Sequence, residues 1–314
     1  MRVGFLNNQI DNRGTGNALY DYAHYNETIL GNESVIFTLT HQNADQGMQD
    51  RLVDRFGDIW SVWALVEREL NIDFIYHIKY GNMDGFHMGE TPYGVHAVFD
   101  GSQPHGDRYA TISEYMGRKY KIPYVPHIVS LAEPTQDFRA KYDIPQDAYI
   151  YGRHGGADTF DIPWAWDAIN EAMYYDDSLY FMFMNTEIPN VKFFDPSRLT
   201  FIANSANPAF KSSFIHSTDA MLHARSRGET FGIAVGEFAI AGKPVITYGG
   251  SGERAHLDYL GRNAIKYWTK TDLYIELLRK PKPYMNDLTD YANFTPENVM
   301  KKFKEVFLDE ANSP

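Results

Sequence analysis

Arg225 to Glu253 reads RSRGETFGIAVGEFAIAGKPVITYGGSGE, and this stretch decides the fold. From Gly232 to Ala241 the residues are helix formers or small, Gly242 is a stop, and Pro244 cannot continue the helix. Ile233, Val235, Phe238, Ala239 and Ile240 leave no polar face, so the spacing predicts a short helix buried on all sides. Glu237 is the exception: it shares a face with Ile233 and Ile240, and its carboxylate must point into the interior or a cleft. A buried carboxylate costs several kcal/mol unless donors meet it. Either ligand hydroxyls or an arginine or lysine would satisfy it. Glu229 stands just ahead of the helix start, where free backbone N–H groups favour anions. Val245 to Tyr248 is a short strand running into Gly249, Gly250, Ser251 and Gly252, and open α/β sheets bind ligands at that carboxyl end. Three features thus converge on one crevice.

Working outward, 314 residues suffice for two domains with a sizeable core each. The composition, 44% hydrophobic and 22% charged, is that of a globular chain, and the net charge of -12 argues against a nucleic-acid partner, which needs a basic face. With no cysteine, disulfides and thiolate-bound metals are excluded. The opening MRVGFLNNQI turns polar too soon for a signal peptide, and no run approaches the roughly 20 apolar residues of a membrane span. A cytoplasmic location is expected. Aromatic content is 15%, chiefly core and surface packing, although sugar sites also use such rings.

The N-terminal half reads as strand, loop and helix: Arg2 to Leu6, a polar loop, then a helix from Asn17 to about Leu30. Gly14-Thr15-Gly16 is either a tight turn or a phosphate cradle at that helix start. It is not a dinucleotide fingerprint, because Leu19 replaces the third glycine and the strand Ser34 to Leu39 ends without a ribose-binding acid. Further strands are expected at Ile59 to Ala64, Asp73 to Ile78, Val95 to Phe99, Tyr109 to Ile112 and Pro123 to Val129, with a helix starting at Ser113-Glu114. Such alternation predicts a parallel α/β sheet. Asp100 and His105 fall in a polar loop at a strand end; an acceptor-handling role competes with simple turn capping.

Ser130 to Pro145, bracketed by prolines, reads as a linker, and Tyr149-Ile150-Tyr151-Gly152-Arg153-His154-Gly155-Gly156 restarts the strand and glycine-loop pattern. Domains are therefore placed at 1–133 and 134–314. Strands at Leu179 to Met184, Leu199 to Ala203 and Ala220 to Ala224, with helices at Trp164 to Tyr174 and Phe210 to His216, complete a second sheet. Thr269 to Leu278 and Thr295 to Phe307 read as the last helices. No two aspartates lie two positions apart and no His-x3-His pair occurs, so no metal is assigned. Of His223, Arg225 and Arg227, one arginine is expected to balance Glu229.

Glu229-Thr-Phe-Gly-Ile-Ala-Val-Gly-Glu237, followed by Phe-Ala-Ile-Ala-Gly-Lys-Pro-Val, resembles the E-x7-E signature of the retaining family 4 glycosyltransferases, with Thr230 where that family usually has Gly. The resemblance implies the GT-B fold, two Rossmann-like domains facing one another across a cleft, with the acceptor on the N-terminal side and the terminal helix returning to that first domain. It implies transfer of a sugar from a nucleotide diphosphate sugar to a hydroxyl of a glycan or other acceptor, with retention and without a metal or other cofactor. Glu237 would take the ribose hydroxyls, Glu229 would orient the sugar, and Phe231 and Gly232 would present amides. Gly14, Thr15 and Gly16 would face the diphosphate. Gly152 and Arg153 match the family's Gly-Arg phosphate clamp, but the accompanying lysine falls near Asp158 and Thr159, leaving His154 or the Gly155-Gly156 amides to share the work. The same fold also admits a sugar-nucleotide epimerase, a phosphorylase, or a catalytically silent binding protein.

Overall fold

The computed structural model describes residues 1–64, 70–86, 89–283 and 289–309. Two compact units emerge, Met1–Ile128 with Asn293–Pro314, and Val129–Ala292. The first holds β1 (Arg2–Gln9), β2 (Glu33–Thr40), β3 (Ile59–Ser61), β4 (Phe74–Lys79), β5 (Tyr93–Ala97) and β6 (Arg108–Thr111) in the order β3-β2-β1-β4-β5-β6. The second holds β7 (Tyr149–Arg153), β8 (Leu179–Met184), β9 (Leu199–Ile202), β10 (Ala220–His223), β12 (Val245–Tyr248) and β14 (Ala264–Tyr267), ordered β14-β12-β10-β7-β8-β9. β11 (Gly228–Glu229) and β13 (Glu253–Arg254) form a separate two-stranded ribbon. Every pairing in both sheets is parallel. Counted within its own unit, each sheet runs 3-2-1-4-5-6, the doubly wound Rossmann order. Strand order therefore reverses between β1 and β4, and again between β7 and β10.

β4 and β5 are buried at every position, the mark of strands covered on both faces. In the second unit the helix Pro208–Ser217 starts where Asn207 caps it, accepting from the amides of Ala209 and Phe210, with Pro208 as the first helical residue. The expected strands and helices are recovered within a few residues, with two exceptions.

Pro123 to Val129 is not a strand. Only Tyr124 bridges to Thr111. Pro123 and Pro126 lack the N–H a ladder needs, and side chains take the carbonyls instead: His96 Nε2 donates to Val125 O at 2.9 Å and Tyr22 Oη to Pro126 O at 2.8 Å. The stretch read as a linker is likewise fastened down within the second unit. Ser213 Oγ accepts from the amides of Thr135 and Gln136, Phe138 is fully buried with its ring 4.9 Å from that of Phe210, and Arg139 pairs with Asp219 at 2.6 Å. The unit boundary lies instead between Ile128 and Val129.

The last helix, Pro296–Phe303, is capped by Thr295 and continues as a π-helical turn, Lys304–Leu308. It lays Phe303 against Tyr22 and Tyr76, ring centroids 5.3 and 5.1 Å apart, and Phe307 against Tyr76 and His96. Two buried phenylalanines contribute about 2 kcal/mol each. Phe303 and Phe307 are thus part of the first unit's core.

Candidate functional site

In the second unit, the residues of interest gather at the carboxyl ends of β7 and β10, where the strand order reverses. The helix Ile233–Ile240 starts from Gly232, whose φ of +87° no side-chain-bearing residue adopts easily. An added Cβ there would also lie 2.9 Å from Tyr291 Oη. Tyr291 donates to Phe231 O at 2.6 Å, and the buried Phe231 ring packs on Tyr259 and Tyr291. That anchor fixes the turn and leaves the first-turn amides without intrahelical partners. Glu229 stands ahead of the helix and Glu237 lies within it.

Glu237 is 2% exposed. Lys211 Nζ meets Oε1, and His154 Nε2 lies 3.0 Å from Oε2. That second contact lacks hydrogen-bond alignment, so Oε2 and His154 Nε2 are both buried without a hydrogen-bond partner. Burial alone would raise the Glu237 pKa, but above all the Lys211 charge holds it at about 2. His154 is pushed down by burial and stays neutral. The sequence offered a ligand or an ion pair for Glu237. The structure supplies the ion pair and leaves Oε2 buried without a hydrogen-bond partner.

Glu229 sits on β11. Arg225 Nη1 donates to its Oε2 at 2.7 Å and His223 Nε2 to Oε1 at 3.2 Å. A carboxylate only accepts, so His223 carries its proton on Nε2. In the neutral ring Nδ1 accepts from Thr247 Oγ1 at 2.8 Å, and that hydroxyl accepts from His256 Nε2 at 3.1 Å. Against the burial that would raise it, His223 and Arg225 hold Glu229 at about 2.

Arg153, expected as a phosphate clamp, is turned into its own loop. Nη1 donates to Asn185 O at 2.8 Å and Thr186 Oγ1 at 2.5 Å; Nη2 donates to Gly156 O at 2.6 Å and Thr159 Oγ1 at 2.5 Å. All four Nη protons are spent on the protein. Thr159, where the lysine was expected, is an acceptor for this guanidinium; an ammonium there would repel it. Arg153 is 3% exposed, its pKa is lowered to about 10 by burial, and among the described residues no carboxylate lies within ion-pair distance. Its charge acts through space. Gly152 lies beside it in β7.

The first unit keeps its own polar cluster at the β1 and β4 ends. Lys79, with a 3% exposed side chain, pairs with Asp84 at 2.6 Å and donates to His105 Nε2 at 3.2 Å, while His105 Nδ1 donates to Gln103 O. Beside them His77 donates to Asn8 Oδ1 at 2.6 Å and accepts from Tyr93 Oη at 2.7 Å. Asp100 does not join this cluster: it accepts from the Ser102 amide as a turn cap, and those hydrogen bonds lower its pKa. Gly14, Thr15 and Gly16 open the helix Gly14–Thr28, which has no side-chain cap. A Cβ on Gly16 would meet Asp11 O at 1.8 Å.

Sequence reading missed Lys211, Lys79 and Asp84. Lys211 carried a signal: a cation in the first turn of a helix opposes the macrodipole, so a partner must hold it there. Among the described residues no group of three or more His, Asp or Glu is arranged to hold a metal ion, and no helix is long and apolar enough to cross a membrane.

No family model and no curated protein sequence matches the chain. Comparison of structures does define its class: two Rossmann-like units of the GT-B fold shared by glycosyltransferases. Among solved structures, HepE from Anabaena in complex with UDP and glucose is similar at a TM-score of 0.66 and 12% identity, covering 98% of this chain and 95% of that one. WaaG, a glycosyltransferase involved in lipopolysaccharide biosynthesis, gives 0.62 at 10% identity over 98% of this chain and 100% of its own. Sucrose-phosphate synthase from Thermosynechococcus elongatus gives 0.58 at 12% identity over 99% and 96%.

Proposed function

We propose that the protein is a retaining glycosyltransferase that moves a sugar from a nucleoside diphosphate sugar to an acceptor hydroxyl without a metal. One observation carries the reading: at the switch point of the second sheet a half-buried carboxylate, Glu229, stands ahead of one short helix and a buried one, Glu237, lies within it, each met by cations or histidine and held ionised. Ionised carboxylates there are acceptors for hydroxyl groups. Glu237 takes the ribose through Oε2, the oxygen left without a hydrogen-bond partner, with Lys211 and His154 alongside. Glu229, braced by Arg225 and His223, orients the transferred sugar. The diphosphate lies in the field of Arg153, whose charge no carboxylate in contact cancels, and on the amides beyond Gly232. UDP, the nucleotide bound by HepE, is the first candidate.

The bond from the anomeric carbon to the phosphate oxygen breaks, the acceptor oxygen bonds that carbon from the same face, and its proton passes to the leaving phosphate. A second reading, a nucleotide-sugar binder without turnover, draws on the spent Nη protons of Arg153. Incubation with UDP-glucose, EDTA and an acceptor panel, read by UDP release and by NMR of the product anomer, decides. Release with retained configuration supports the proposal. An inverted product overturns retention, and binding without release supports the silent reading.

A further inference from the structure

Away from Glu229 and Glu237, the second unit presents a polar groove. The helix Pro163–Tyr175 links the carboxyl end of β7 to the start of β8, so its last residues reach the amino edge of the sheet; Phe194 lies at that edge too, shortly before β9. Tyr174, Tyr175 and Phe194 are 64%, 65% and 53% exposed. Their rings form a chain, Tyr175 to Tyr174 at 5.0 Å and Tyr174 to Phe194 at 5.3 Å. Beside them runs a groove of about 500 Å³ lined by Asp167, Asn170, Glu171, Lys192, Phe193 and Phe194.

The groove is built rather than incidental. Asn170 clasps its wall at two points, donating to Lys192 O at 3.2 Å and accepting from the Phe194 amide at 2.9 Å. Phe193 packs its ring 5.8 Å from that of Trp166. Glu171 is held by Lys270 at 2.8 Å. Asp167 and Lys192 are in no ion pair among the described residues, which leaves an acceptor and a donor facing the groove. The chemistry sorts the possible occupants. Two carboxylates on the wall disfavour phosphates and nucleic acids. Charged groups at the centre are depleted in protein interfaces. Exposed ring faces next to a carboxylate and an ammonium match a ligand that has apolar C–H faces and a rim of hydroxyls.

We propose that this groove binds a neutral oligosaccharide, away from Glu229 and Glu237. The test is calorimetric titration of the full chain with neutral gluco-, galacto- and manno-hexaoses. The variants are Tyr174→Ala with Tyr175→Ala, and the milder Asp167→Asn, with their urea transitions and sedimentation measured alongside. Expected is saturable binding of at least one hexaose, weakened on the order of ten-fold per tyrosine removed and several-fold by Asp167→Asn, with unfolding midpoints unchanged. Failure of every hexaose to bind, or equal binding by the variants, overturns the proposal. So does a wild-type dimer that the tyrosine substitutions dissociate, which would give the face to a second copy. Nucleotide binding plays no part in this test, so its failure leaves the transferase reading standing.

Discussion

The two sheets share one strand order yet differ in how each treats a buried cation at its switch point. In the first unit Lys79 is neutralised by Asp84 at 2.6 Å. In the second, Arg153 is held by neutral oxygens alone. The same scaffold therefore offers a cation paired by direct contact in one unit and a cation with no carboxylate in contact in the other. On the proposed reading a diphosphate would sit with the second and a neutral hydroxyl acceptor with the first. Fold alone does not make that assignment.

The largest expected effect breaks the contrast directly. Arg153→Met removes the charge and takes a donor from four backbone or hydroxyl acceptors around it, so stability should fall by about 3 kcal/mol or more and nucleotide binding should be lost. Urea unfolding and titration with UDP check both. Normal nucleotide binding by a folded variant would end the electrostatic part of the account.

Lys211→Met comes next. It leaves Glu237 buried without its main counter-charge, at a cost of about 2 kcal/mol once Lys211's partial exposure is allowed for. The Glu237 pKa should then rise toward its ordinary 4.5. A wild-type glutamate held near 2 contributes stability that is present above about pH 4.5 and lost as pH falls. The variant should lack that dependence, so the gap between the two proteins should narrow in urea melts taken from pH 6 down to pH 4.

Acid acts on both units through histidines. Burial holds His77, His96 and His256 neutral down to about 3, 4 and 3, below the ordinary 6.5. Between those values the unfolded chain binds more protons, so stability present above pH 6.5 is lost as pH falls, by about 1.4 kcal/mol per pH unit for each histidine. Two of the three lie in the first unit. His96→Gln should flatten the slope of unfolding free energy between pH 7 and 5 by about one histidine's share.

The smallest effect is expected from Lys79→Met. Asp84, partly exposed, stays solvated, so the stability change should be about 1 kcal/mol or less and UDP affinity should hold within about two-fold, while transfer to acceptor slows. Loss of UDP binding in this variant would erase the distinction between the two ends.

Much of the fold was legible because local rules govern it. Gly232, Gly242 and Pro244 bracket the buried helix, and apolar runs mark the strands. Glu237 stood out as a charge placed where helix geometry allows no solvent, and Glu229 as an acid just ahead of the helix start. Their partners did not. Lys211 and His154 lie 26 and 83 positions before Glu237, and periodicity says which face a residue takes, never what stands opposite. Pro123 to Val129 misled for a related reason: its apolar pattern fits a strand, but its carbonyls go to Tyr22 and His96, residues far away in sequence.

The central claim is that Glu237 receives the ribose of a nucleoside diphosphate. Calorimetric titration of UDP, GDP and ADP into the wild type and Glu237→Gln, in EDTA, tests it most directly. The account predicts saturable binding of one of the three by the wild type, weakened on the order of ten-fold or more in the variant, where charge-assisted hydrogen bonds are lost. Equal affinity in the two proteins, or no binding of any of the three by the wild type, would contradict it.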